Sequence, residues 1–123
     1  MCTKSQLEAI EEEMVNYYRS VYGDSIDTII LYGSYARGDY SDDSDIDITA
    51  IVRGNRVELQ KKLKKIWDFS TEVGLAYDVI VSPTVIPYDE FEQYKEKLPY
   101  YRNIVKEGRK IASDPSARRY NRL

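Results

Sequence analysis

The chain contains no histidine and a single cysteine, Cys2, among its 123 residues. Without histidine there is no serine–histidine–aspartate triad, no histidine general base and no histidine metal ligand. One cysteine excludes a disulfide framework within the chain and leaves no ligand set for zinc. Any catalysis must rest on carboxylates, hydroxyls, lysines and arginines. Long apolar runs are also missing, so no segment reads as a membrane span. The acidic N-terminal stretch is unlike a signal peptide, and a cytoplasmic protein with no membrane partner is expected. Phenylalanine is scarce, at 2 residues against 12 tyrosines, which favours half-exposed aromatic surfaces and an interface. The length fits one domain, read as residues 1–112 with a basic tail at 113–123. It leaves no room for a separate substrate-binding domain. A large acceptor must bind across an open site or arrive on a partner.

Charge is uneven. The formal net charge is −3, but residues 1–52 hold 11 acidic and 3 basic side chains, and residues 53–123 hold 10 acidic and 15 basic ones. An acidic site in the first half and a basic surface in the second suit a polyphosphate or a nucleic acid. Lys61, Lys62, Lys64 and Lys65 read as a solvated helix face, with Trp67 packed inward. Direct nucleic-acid binding is therefore not favoured.

Periodicity predicts a helix over 4–22, capped by Ser5 with Glu8, with Leu7, Ile10, Met14, Tyr18 and Val21 at helical spacing. Strands are expected over 26–32 and 46–52 and a helix over 55–71, with Gly74 as its C-cap. A third strand is expected over 75–81, stopped by Pro83. Two helices follow, over 88–97 and 100–112. The fold class is α/β (α+β): a small mixed sheet flanked by helices.

The segment most telling of chemistry runs from Gly33-Ser34 through Arg37 to Asp45-Ile46-Asp47. A turn with a free hydroxyl precedes two carboxylates spaced i, i+2, which an extended strand points the same way. Like charges that close raise the pKa of one group, and a divalent cation removes that cost. Gly33 lets the backbone approach phosphates closely, and Ser34 offers a hydroxyl to them. Arg37 reads equally as an ion-pair former with Asp39 or Asp42 and as a phosphate contact. Asp78, flanked by apolar residues in the expected third strand, is costly unless paired or metal-bound. If that strand lies beside the second, Asp45, Asp47 and Asp78 form a three-carboxylate cluster able to hold two Mg2+ ions. Asp78 is then the candidate to take a proton from the acceptor hydroxyl.

The run from Gly33 to Asp47 resembles the signature of the DNA-polymerase-β-like nucleotidyltransferases. More narrowly, it is similar to the minimal nucleotidyltransferases that form the antitoxin half of prokaryotic HEPN–nucleotidyltransferase toxin–antitoxin pairs. The segment at 99–108 is similar to a run common near the C-terminus of these small proteins. The resemblance implies that Gly33 and Ser34 hold the phosphates of ATP, that Asp45 and Asp47 bind both Mg2+ ions, and that Asp78 completes the site. It also implies transfer of AMP to a tyrosine of a HEPN toxin. That partner is expected to dock on the tyrosine-rich basic half, at Tyr100, Tyr101 and the Arg118-Arg119 tail. Two alternatives stand beside this reading: transfer to a small-molecule hydroxyl, as in aminoglycoside nucleotidyltransferases, and a non-catalytic antitoxin that acts by binding.

Overall fold

A computed structural model describes residues 2–113. The expected basic tail falls on residues 114–123, outside the described part, apart from Ser113. Helix α1 (Lys4–Tyr22) is capped by Thr3, not Ser5: Thr3 accepts from the Gln6 amide, and the Gln6 side chain accepts from the Thr3 amide. This is a capping box two residues earlier than the sequence suggests. A 3-10 turn at Gly23–Ser25 leads into β1 (Ile26–Tyr32). A short helix α2 (Ser34–Arg37) and a loop then bring the chain to β2 (Ile46–Val52).

Helix α3 (Arg56–Tyr77) starts at Asn55, whose side chain accepts from the amides of Val57 and Glu58. It runs past the expected stop at 71 and absorbs Gly74. Strand β3 follows at Val81–Pro87, then α4 (Tyr88–Tyr94), α5 (Pro99–Glu107) and β4 (Arg109–Ser113). The expected strand over 75–81 and helix to 112 are thus both corrected. The first is split between the last three residues of α3, the Asp78 cap with the two residues after it, and the first residue of β3, and the second breaks at Gly108 and returns as a strand.

The sheet order is β3-β2-β1-β4, with β2 parallel to β3 and both other pairs antiparallel. Pro83 does not end β3. It lies within an edge strand, where a missing amide costs no ladder bond on the open side. The sheet carries a core on each face. Ile29, Leu31, Ile46, Ile48, Ala50, Val52 and Val85 face α1 and α3, while Ile30, Ile51 and Ile86 pack with Phe91 and Tyr101 of α4 and α5. Tyr18 pins α1 to the sheet: it is fully buried, and its hydroxyl donates to the carbonyls of Thr84 (2.8 Å) and Ile48 (3.3 Å). Tyr22 donates to the Leu59 carbonyl at 2.7 Å and so ties α1 to α3. No helix among the described residues is long and apolar enough to cross a membrane.

Candidate active site

The site forms where β1 ends and β2 begins, at the centre of the sheet. Antiparallel pairing sets Asp47 opposite Tyr32, the last residue of β1. The next residue, Gly33, adopts φ +76°, and a Cβ there would overlap the Asp47 carboxylate oxygen. A side chain at position 33 would therefore be strained by its backbone and excluded by its neighbour. The turn that begins α2 and the carboxylate of β2 are in contact because residue 33 is glycine. Ser34 is the first residue of α2, and its carbonyl accepts from the amides of Gly38 (2.9 Å) and Asp39 (3.2 Å), which close the turn.

The loop that carries Asp45 is held from two sides. Tyr40 stacks on Tyr35 of α2 at 4.2 Å. Ser41 and Ser44 close a small turn, in which the Ser41 amide donates to the Ser44 hydroxyl at 2.9 Å. The Ile46 amide then donates to the Ile80 carbonyl at 2.8 Å and starts the parallel pairing with β3. Asp45 is exposed and Asp47 half-buried. Burial, and next the charge of Asp45, raise the Asp47 pKa above its ordinary value, while the Arg37 guanidinium opposes the shift. The two carboxylates repel, and the pair could hold a divalent cation. Mg2+ takes one or two carboxylates together with phosphate oxygens, a donor set that this pair and a triphosphate supply.

Asp78 does not complete that pair. It is the C-cap of α3 in the left-handed conformation (φ 57°, ψ 47°), not a strand residue. Among the described residues no group of three or more carboxylate or cysteine side chains converges to hold a metal. The residue of β3 in register with Asp47 is Ser82. The physical reason is local. Aspartate tolerates the left-handed cap better than most residues, so α3 ends on it and the strand starts three residues later. Asp78 instead lines a cavity of about 490 Å3 that it shares with Asp45.

Arg37 makes the ion pair with Asp39 (3.2 Å) and a second one with Glu107 of α5 (3.2 Å). Several neighbours of the site gave no signal in the sequence. Tyr32 and Tyr100 share a hydrogen bond of 2.9 Å and meet edge to face. With Gly33, Arg37, Asn103 and Glu107 they bound a second cavity of about 160 Å3 against the Gly33 turn. Burial, then the Tyr100 bond, push the Tyr32 hydroxyl well above its ordinary pKa, so it stays protonated. These groups come from opposite ends of the chain, and only tertiary pairing brings them together.

Residues 9–112 match the nucleotidyltransferase domain family. The chain belongs to that family. Two proteins of Methanocaldococcus jannaschii, each named "putative protein adenylyltransferase", are similar to it. One is 36% identical over 98 residues, covering 80% of this chain and 90% of the relative. The other is 33% identical over 97 residues, covering 72% and 96%. The nucleotidyltransferase fold is also that of a toxin–antitoxin complex with AMP-PNP, at TM-score 0.56 and 17% identity over 89% of this chain and 78% of that one. It recurs in a complex of a tri-AMPylated Shewanella oneidensis HEPN toxin with its MNT antitoxin, at TM-score 0.51 and 15% identity over 91% and 76%.

Proposed function

We propose that this nucleotidyltransferase moves AMP from ATP onto a tyrosine hydroxyl of a partner HEPN toxin and thereby neutralises it. The observation that carries the reading is the contact between the Gly33 turn and the Asp47 carboxylate, with Asp45 beside it. A phosphate-approaching backbone and a cation-holding pair meet at one end of the two central strands. The similarity to adenylyltransferases and to toxin–antitoxin folds supports a protein acceptor.

In the reaction, the tyrosine oxygen attacks the α-phosphorus. A P–O bond forms to the acceptor, the bond to pyrophosphate breaks, and the hydroxyl proton leaves. Gly33 admits the triphosphate close to the backbone, and the Ser34 hydroxyl donates to a phosphate oxygen. Asp45 and Asp47 would hold Mg2+. The metal, when bound, neutralises charge on the phosphates and on the leaving pyrophosphate. Arg37 stays beside the phosphates but is partly neutralised by Asp39 and Glu107. Asp78 acts from the wall of the cavity of about 490 Å3: its carboxylate takes the tyrosine proton there and is not a metal ligand.

The test is incubation with α-phosphate-labelled ATP, Mg2+ and a co-expressed HEPN protein. Label on a tyrosine of the partner, lost in Asp45→Asn/Asp47→Asn, is the expected result. Undiminished labelling by that double variant, or label appearing only on small molecules, overturns it. For Asp78, single-turnover kinetics of Asp78→Asn should show normal ATP binding and transfer slowed by about 10²-fold, the scale of general acid–base help. Unchanged transfer would leave Asp78 as a helix cap alone.

A further inference from the structure

The cavity of about 490 Å3 lies between the C-terminal end of α3, the start of β3 and the loop at 42–45. Its walls are unusual in two independent ways. Three large apolar side chains stand open to solvent: Trp67 is 44% exposed, Leu75 80% and Ile80 62%. Trp67 was expected in the core. Clustered exposure of this kind marks an interaction surface more than an accident of packing. Among the described residues, the charged ones that line the same cavity are all aspartates, Asp42, Asp43, Asp45 and Asp78. Without a bridging cation this lining disfavours a phosphate backbone and favours a cation-bearing ligand. The groove is also continuous with the reaction site, because Asp45 belongs to both.

We propose that this groove receives a basic amphipathic helix of the acceptor protein, apolar side chains on Trp67, Leu75 and Ile80 and lysines or arginines against Asp43. The inference rests on the protein-acceptor reading above and names the surface that reading lacks. Of the surface expected from the sequence, Tyr101 is buried at 7% exposure, Tyr100 is 48% exposed while bonded to Tyr32, and Arg118-Arg119 lie outside the described residues. Docking at the groove places the acceptor beside Asp45 and so explains how a chain of one domain orients a protein hydroxyl.

Trp67 is the only tryptophan of the chain, so its emission reports occupancy without a label. The probe is a pair of synthetic 18-residue amphipathic helices, one built from lysine and leucine and one from glutamate and leucine. The Lys/Leu peptide should blue-shift Trp67 emission in a saturable manner, and the Glu/Leu peptide should not. Leu75→Lys should weaken the Lys/Leu peptide about tenfold or more, as loss of a central apolar anchor does. Val57→Lys should change it less than about twofold, since it adds the same charge at an exposed site (59%) at the other end of α3. Both variants should keep the wild-type circular dichroism. Equal binding of the two peptides, or equal weakening by the two variants, overturns the proposal. So does a dimer that Leu75→Lys dissociates, since the groove would then be occupied by a second copy. The readout needs neither ATP nor Mg2+. Failed transfer with intact peptide binding therefore counts against the enzymatic reading, and intact transfer with no peptide binding counts against the groove.

Discussion

At the scale of single residues, the contact between Gly33 and Asp47 decides most. Gly33→Ala would place a methyl group on the carboxylate oxygen and force φ +76° on a residue with a Cβ. The backbone alone, with ψ −159° beside that φ, costs about 1–3 kcal/mol, and the displaced carboxylate should lower transfer by about 10²-fold, the scale of a misplaced reacting group. Denaturant titration and initial rates check the two effects separately. Asp47 itself is expected to destabilise the metal-free protein at neutral pH. Its folded pKa is raised, first by burial and then by Asp45. The folded state therefore binds its proton more tightly than the unfolded chain does. The stabilising contribution is complete below the ordinary carboxylate pKa and is lost as pH rises through the raised folded value. Asp47→Asn should melt at a higher temperature than wild type in chelator at pH 7, with the gap closing in acid. Added Mg2+ and ATP should stabilise wild type and leave the variant unmoved. A variant that melts lower than wild type in chelator at pH 7 would contradict the repulsion described here.

At the scale of elements, the α4–α5 pair shows a polar contact that sets helix geometry. The Tyr101 hydroxyl donates to the Glu90 carboxylate at 2.7 Å, and Arg56 of α3 pairs with the same carboxylate. The Tyr101 bond, then Arg56, hold Glu90 below the usual carboxylate range, although burial pushes the other way. Stability from this contact is present above the unfolded carboxylate pKa and is lost as pH falls through the folded one. Tyr101→Phe should cost about 1 kcal/mol or less at pH 7, given partial exposure. The cost should shrink as Glu90 protonates, which urea melts at pH 7 and pH 3 compare. A pH-independent cost would assign the loss to packing alone. The elements also show what the sequence could reveal. Strands β1 and β2 were legible because their apolar runs are short and bounded, and the Gly33 to Asp47 motif was legible because it is local. The segment at 75–81 was misread because a short apolar run fits a helix end as well as a strand. Gly74 looks like a stop but sits inside α3, where a Cβ would meet the Val79 carbonyl. Strand β4 was hidden because Arg109, Lys110 and Ser113 carry no strand pattern. It exists as an edge strand by pairing with β1, a contact between distant parts of the chain.

At the scale of the whole molecule, that late strand reaches the site through what it pulls with it. Helix α5 leads directly into β4, and it carries Tyr100 to Tyr32 and Glu107 to Arg37. The anchor of β4 is an ion pair across 98 positions of sequence: Arg109 Nη2 donates to Glu11 Oε2 at 2.6 Å and Nη1 to Oε1 at 3.5 Å. The Glu11 side chain is only 11% exposed, while that of Arg109 is half open. Arg109→Ala would leave a buried carboxylate without its partner. Full burial of both partners would make that loss about 3–5 kcal/mol; with Arg109 half in water, about 1–3 kcal/mol is expected. Glu11→Gln with Arg109→Met removes both charges and should recover most of the loss, because the penalty lies in the orphaned charge. Chemical denaturation of the single and double variants measures the coupling, and strictly additive effects would show that the pair does not act as a unit. Amide exchange in β4 should accelerate in Arg109→Ala before exchange in β2 does, since β4 is an edge strand and β2 is central. Nucleotide affinity should fall in the same variant, although Arg109 is not among the residues lining either cavity, because a loosened β4 frees α5 from the Gly33 turn. Unchanged affinity with accelerated β4 exchange would show that α5 holds its place without the strand.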